Sequence, residues 1–293
     1  MTMKKIIAIL FCMLATSLFL VRANNYPFAV TVQGTGQPVI LIPGLGCSGD
    51  VWQQTVDSLS RHYECHVLTL AGFAGEPPVD LSQDYLPQIS QGLVNYIKEK
   101  LDEKPVIIGH SLGGFLALAT AAANPGIAKK LIIVDSYPFM PLAFNPQATE
   151  ENVKEQALQI KQMILHSPDS IFAMQQQQTL QTMVTDKQQA ALAAGWTLQS
   201  DRATLAQAMY ELMTTDLRDE ITAIQVPVLV MGSWYGARNY GVTREMVAAN
   251  LRAQYQNVAN CRIILADTAL HFIMWDEPAW FINSLADFLE DEV

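Results

Sequence analysis

The stretch Pro105-Val-Ile-Ile-Gly109-His110-Ser111-Leu112-Gly113-Gly114 sets a serine between two glycines at the spacing G-x-S-x-G. A β-branched apolar run precedes it and an Ala-rich stretch, Phe115–Ala123, follows, so the motif falls where a strand turns into a helix. That context suits a nucleophile, which must stand clear of the backbone on a sharp turn. Gly109 and Gly113 remove side chains that would collide with the neighbouring strand and helix. The helix N-terminus beside Ser111 favours negative charge there. The chemistry this implies is attack by the Ser111 hydroxyl on a carbonyl carbon.

The surrounding elements must form a scaffold for that turn. From Ala29 onward, β-branched runs alternate with amphipathic stretches, the pattern of an α/β fold with a mostly parallel sheet flanked by helices. Strands are predicted at Ala29–Gln33, Val39–Ile42, His66–Leu70, Val106–Ile108, Leu131–Val134, Val228–Met231 and Arg262–Leu265. Those from Val39 onward are almost wholly apolar, as strands buried on both faces should be. Helices are predicted at Asp50–Arg61, Leu86–Leu101, Leu112–Asn124, Arg244–Gln256 and Ala279–Leu289. The rhythm breaks between residues 138 and 223, where helical periods such as Glu150–Leu165 and Arg202–Met213 occur without a convincing strand. The expected organisation is a core of residues 24–137 and 224–293 with a helical cap, 138–223, inserted into it. Phe172, Met183, Trp196 and Met213 then either hold the cap on the core or line an apolar pocket.

With these residues in view, the chain resembles the α/β-hydrolase superfamily from about residue 29 to its end. The resemblance implies an oxyanion loop at Leu41-Ile42-Pro43-Gly44-Leu45-Gly46-Cys47, with the backbone N–H groups of Leu45 and Leu112 facing the developing oxyanion. It also implies the order serine, acid, histidine, which makes His271 the base: it follows the last predicted strand and precedes the final helix. His110 is expected to be structural. The acid departs from the family pattern. Most relatives place a carboxylate just after the strand that follows the cap, and Val228-Leu-Val-Met-Gly-Ser233-Trp-Tyr-Gly-Ala-Arg-Asn239 has none. Asp135, directly after Leu131–Val134, is the preferred substitute. Asp267, Glu245, or a Ser–His pair oriented by Asn239 or water are the alternatives.

The N-terminus reads as a signal peptide, residues 1–23: Lys4 and Lys5, an apolar run from Ile6 to Leu20 that is short for a span of roughly twenty residues, then Val21-Arg22-Ala23. Its removal takes Lys4, Lys5 and Arg22 and no acid, leaving 15 basic against 28 acidic residues, a balance of −13. Such a charge disfavours nucleic acid and anionic membrane surfaces as partners. The expected location is secreted or periplasmic, without a stable membrane span in the mature form. Cys47, Cys65 and Cys261 permit at most one disulfide, and no metal or other cofactor is implied. The expected function is hydrolysis of a small ester-like substrate with an apolar part, through an acyl-enzyme on Ser111. Lactonase, amidase and carbon–carbon hydrolase activities stay open, because a fold does not set a function. A catalytically weak ligand-binding or signalling protein on the same scaffold is the alternative.

Overall fold

The computed structural model of the protein describes Phe19–Val21 and residues 26–291. Its strands are β1 (Phe19–Val21), β2 (Phe28–Gln33), β3 (Gln37–Ile42), β4 (Tyr63–Leu70), β5 (Val106–His110), β6 (Lys130–Val134), β7 (Val228–Gly232) and β8 (Cys261–Leu265). They form one sheet in the order β1-β2-β4-β3-β5-β6-β7-β8. β1 and β2 run antiparallel to their neighbours, and every other pairing is parallel. The helices are α1 (Gln53–Leu59), α2 (Tyr85–Lys100), α3 (Leu112–Ala123), α4 (Glu150–His166), α5 (Asp169–Met183), α6 (Lys187–Gln199), α7 (Arg202–Thr214), α8 (Arg244–Gln254), α9 (Ile273–Asp276) and α10 (Pro278–Glu290).

Central strands β5, β6 and β7 are buried along their whole length because both faces are covered. Alternate residues go to opposite sides. Ile107, Leu131, Ile133, Val228 and Val230 join the apolar layer under α2, α3 and α8. Val106, Ile108, Ile132, Leu229 and Met231 join the layer under α1 and α10. The expectation of two-sided burial fails for β4 and β8. Odd-numbered residues of β4 such as Tyr63, Val67 and Thr69 face the short α1, which covers them only in part. β8 is the outermost strand, and Arg262 on it is exposed.

Between β6 and β7 the described chain contains four α-helices, α4 to α7, two short 3-10 helices, Met140–Ala143 and Glu220–Ala223, and no strand. α4 packs on α7, and α5 on α6. The insertion is anchored electrostatically as well as by packing. Glu211 of α7, only 6% exposed, accepts hydrogen bonds from the Tyr85 and Leu86 N–H groups at 2.7 Å each. Those are first-turn donors of α2 that no Asp84 side chain caps, and the helix dipole favours a carboxylate at that end. α6 and α7 also press on the loop after β3, where a Cβ on Gly46 would lie 3.1 Å from both Leu205 and Thr197.

Of the expected leader, residues 1–18 and 22–23 lie outside the described residues. Phe19–Val21 pairs with Val30–Val32 of β2. No described helix is long and apolar enough to cross a membrane. Cys47, Cys65 and Cys261 are free thiols.

Candidate active site

The register of the sheet brings four chain segments to one edge. Ile42 lies beside Gly109, His110 beside Val134, and Val134 beside Met231, all in parallel strands. Whatever follows β3, β5, β6 and β7 therefore emerges together: the Pro43–Cys47 loop, Ser111, Asp135 and Ser233. The crevice at the carboxyl ends of parallel strands is where such sheets bind ligands.

Ser111 sits at φ 52, ψ −118, a backbone conformation that non-glycine residues adopt only when the surroundings enforce it. Here the Ser111 N–H donates to Val134 O at 2.9 Å, and the Ser111 carbonyl accepts from Gly114 and Phe115 N–H. The glycines flanking the turn are needed for contact. A Cβ on Gly109 would lie 2.2 Å from Gly113 O, and one on Gly113 would lie 2.2 Å from Ile42 O. The Ser111 hydroxyl makes no hydrogen bond among the described residues, and neither the Leu45 nor the Leu112 N–H has an acceptor there.

His271 occupies the loop between β8 and α9. Its Nδ1 lies 2.7 Å from Asp135 Oδ2, and its backbone carbonyl accepts from His110 Nε2 at 3.0 Å. The His110 and His271 rings are 4.5 Å apart between centroids, so the imidazole lies against the residue that precedes Ser111. Two carboxylates hold the loop. Glu277 accepts from Thr268 N–H, Thr268 Oγ1 and Ala269 N–H, and Asp276 accepts from Leu270 N–H at 2.8 Å. Burial pushes the Glu277 carboxyl up, but these bonds outweigh it and hold the group below the usual carboxylate range.

His110 is fully buried, and that burial, with His271 beside it, holds the ring well below the ordinary histidine pKa. Because Nε2 faces a carbonyl, it carries the proton, and Nδ1 is a bare acceptor. That nitrogen has no partner among the described residues; a Cβ on Gly44 would lie 3.1 Å from it.

Asp135 is a second non-glycine residue with positive φ, at 44. Its N–H donates to Met231 O at 2.7 Å, and both carboxylate oxygens are engaged by Ser233: the N–H donates to Oδ1 at 2.7 Å and Oγ–H to Oδ2 at 2.9 Å. Burial, and then the charge of Asp135, push the Tyr137 phenol upward. The other acids considered lie elsewhere. Asp267 is exposed and 3.8 Å from Arg244, and Glu245 and Asn239 are exposed as well. His66 pairs with Tyr96 at 2.7 Å and His166 with Gln162 at 2.9 Å.

Sequence reasoning did not assign Ser233, Asp276, Glu277 or Glu211. A signal for Ser233 existed: it stands directly after β7, where the family keeps its carboxylate. Among the described residues no group of three or more His, Cys, Asp or Glu side chains converges as metal ligands would.

Fold and site together define an α/β protein that gathers a strained serine, an imidazole and a carboxylate at the carboxyl edge of a parallel sheet. The sequence matches the pattern of the Alpha/beta hydrolase family over residues 39–284, and the protein belongs to that family. It is similar to the pimeloyl-[acyl-carrier protein] methyl ester esterase of Vibrio cholerae, 28% identical over 271 residues that cover 88% of this chain and 96% of that protein. The Vibrio atlanticus protein of the same name is 31% identical over 214 residues, covering 68% and 76%. Among solved structures, an esterase from Exiguobacterium antarcticum superimposes with a TM-score of 0.72 at 16% identity, covering 90% of this chain and 96% of that one. An enol-lactonase from Burkholderia xenovorans gives 0.70 at 18% identity, covering 90% and 100%.

Proposed function

We propose that the protein is a serine esterase acting through an acyl-enzyme on Ser111. The observation that carries this reading is the 2.7 Å contact between His271 Nδ1 and Asp135 Oδ2, set beside a serine held on a strained turn. The carboxylate fixes Nδ1 as the protonated nitrogen, so Nε2 is free to act as a base. As Ser111 Oγ attacks the ester carbonyl, His271 Nε2 takes its proton. The oxyanion that forms meets the N–H groups of Leu45 and Leu112, a pairing worth roughly 3–4 kcal/mol per donor at such sites. Collapse expels the alcohol, which takes the proton from His271. Water then repeats the cycle and releases the acid.

Similarity to pimeloyl-[acyl-carrier protein] methyl ester esterases makes a short-alcohol ester of an extended acyl chain the first substrate class to try. The absence of a carboxylate directly after β7 favours a catalytically weak ligand binder; against it stands the Asp135 carboxylate, 2.7 Å from His271 Nδ1.

The test is a fluorophosphonate probe with peptide mapping, alongside turnover of p-nitrophenyl esters of increasing acyl length. The expected result is labelling at Ser111 and none in Ser111→Ala. Folded wild-type protein that takes up no probe would sink the reading.

Export of the chain is part of the proposal and rests on the N-terminal charge and apolar pattern. Cleavage before Asn24 would remove β1 and leave β2 as the sheet edge. Fractionation with N-terminal sequencing decides it: protein in the periplasm or medium beginning at Asn24 is expected, and protein confined to the cytoplasm with an intact Met1 terminus would refute export.

A further inference from the structure

We infer that Ser233 is a positioning residue for the hydrolytic site, and that the pair Ser233–Asp135 does together what a single carboxylate after β7 does in most of the family. The inference rests on the esterase reading, and it concerns how the acid is held rather than whether ester chemistry occurs.

Asp135 lies one strand away from the family's usual acid position, on a backbone with φ 44. A carboxylate reached from there can rotate about its Cβ–Cγ bond, and rotation would offer His271 either oxygen at a poor angle. Ser233 removes that freedom with two donors. The backbone N–H holds Oδ1 at 2.7 Å, and the hydroxyl holds Oδ2 at 2.9 Å. Oδ2 is also the oxygen 2.7 Å from His271 Nδ1. The Asp135 side chain is almost enclosed, 9% exposed, so water competes weakly for these oxygens. Three bonds thus define the carboxylate plane, and that plane sets the tilt of the imidazole and the aim of Nε2.

A second consequence follows from the distances. Ser233 Oγ is within 3 Å of the oxygen that contacts His271. With the Asp135 side chain cut back, a carboxylate grown from the 233 Cβ would extend toward the spot that Oδ2 occupies beside His271 Nδ1. The two positions serve one spot from adjacent strands, so the acid should be transferable between them.

The experiment uses the full chain and the fluorogenic ester that wild type turns over best. Ser233→Ala keeps the backbone donor and loses only the hydroxyl. The expected result is a fall in kcat of about tenfold with KM unchanged, since the hydroxyl aims the base and does not hold the substrate. Ser233→Thr, which keeps the hydroxyl, restores at least half of the activity. Asp135→Ala with Ser233→Asp, which vacates the space beside the ring nitrogen, recovers tenfold or more over Asp135→Ala alone. A proton NMR readout is independent of turnover: the downfield resonance of His271 Nδ1–H, assigned by its absence in Asp135→Asn, moves in Ser233→Ala and not in Ser233→Thr. Wild-type kcat and an unmoved resonance in Ser233→Ala would overturn the inference. Probe-negative wild type with a moved resonance would instead refute the esterase reading and leave the clamp standing.

Discussion

Asp135 Oδ2 and His271 Nδ1 lie 2.7 Å apart although 136 residues separate them in the chain. The contact exists because β6, β7 and β8 are successive parallel neighbours in the sheet, and because the loop after β8 that carries His271 is tied back by His110, Asp276 and Glu277. An amide in place of the carboxylate keeps the shape but presents either an uncharged acceptor or a donor to the ring. Asp135→Asn is therefore expected to lower kcat by roughly 10²–10⁴-fold, with little change in KM. Asp267→Asn is the control and should turn over at the wild-type rate. Steady-state kinetics on one p-nitrophenyl ester compares them; equal rates for wild type and Asp135→Asn would remove Asp135 from the mechanism.

The glycines make a contrast in stability. A methyl on Gly109 meets a backbone carbonyl at 2.2 Å in the turn that carries Ser111, and neither partner can move without the sheet moving. Gly195 lies inside α6, where an added Cβ has no neighbour within 4 Å. Gly109→Ala should cost at least about 3 kcal/mol of unfolding free energy or prevent folding. Gly195→Ala should stabilise by about 0.5–1 kcal/mol through helix propensity. Urea titrations followed by circular dichroism read both, and the same sign for the two substitutions would contradict the packing argument.

The strained turn and its flanking strand and helix were legible because they are local: the G-x-S-x-G spacing, the β-branched run and the Ala-rich run all lie within twenty residues of Ser111. The place of His271, after the last strand and before the final helices, was legible through chain order. Ser233 was not: its place directly after β7 marked the position, but the residue type gave no hint of its partner, which is 98 residues away. Glu211 was hidden for the same reason. On a helix face it reads as a solvated charge, and only the docking of α7 on α2, over 126 residues, turns it into a buried cap. The half-covered faces of β4 and β8 were missed because apolar content does not reveal which strand lies under a short helix or at the sheet edge.

That buried cap carries its own test. Glu211 satisfies two α2 donors and also accepts from Gln207, which in turn bonds Lys161 of α4. Glu211→Ala leaves the Tyr85 and Leu86 N–H groups buried without acceptors, a loss of about 2–4 kcal/mol. Glu211→Gln keeps one acceptor oxygen and should lose about half as much. Because the bond joins the insertion to the core, limited proteolysis should cut Glu211→Ala within α4–α7 well before wild type. Identical cleavage patterns and urea midpoints would show that packing alone anchors the insertion.

The protonation of His110 sets a pH dependence of stability that is separate from catalysis. In the fold its pKa is held well below the ordinary value of 6.5, whereas the unfolded chain returns it to that value. Between those two values the unfolded state binds the proton and the folded state does not. The stabilisation is therefore complete above about pH 6.5 and is lost progressively as pH falls below it, at up to about 1.4 kcal/mol per pH unit for this one group. His66, lowered chiefly by burial and partly offset by Glu64, adds in the same direction. Replacing His110 by Gln keeps a donor for the His271 carbonyl and removes the titration. Urea unfolding at pH 7.5, 6.5 and 5.5 should show a steeper loss in wild type than in His110→Gln; parallel lines for the two proteins would mean that His110 takes up its proton without leaving the fold.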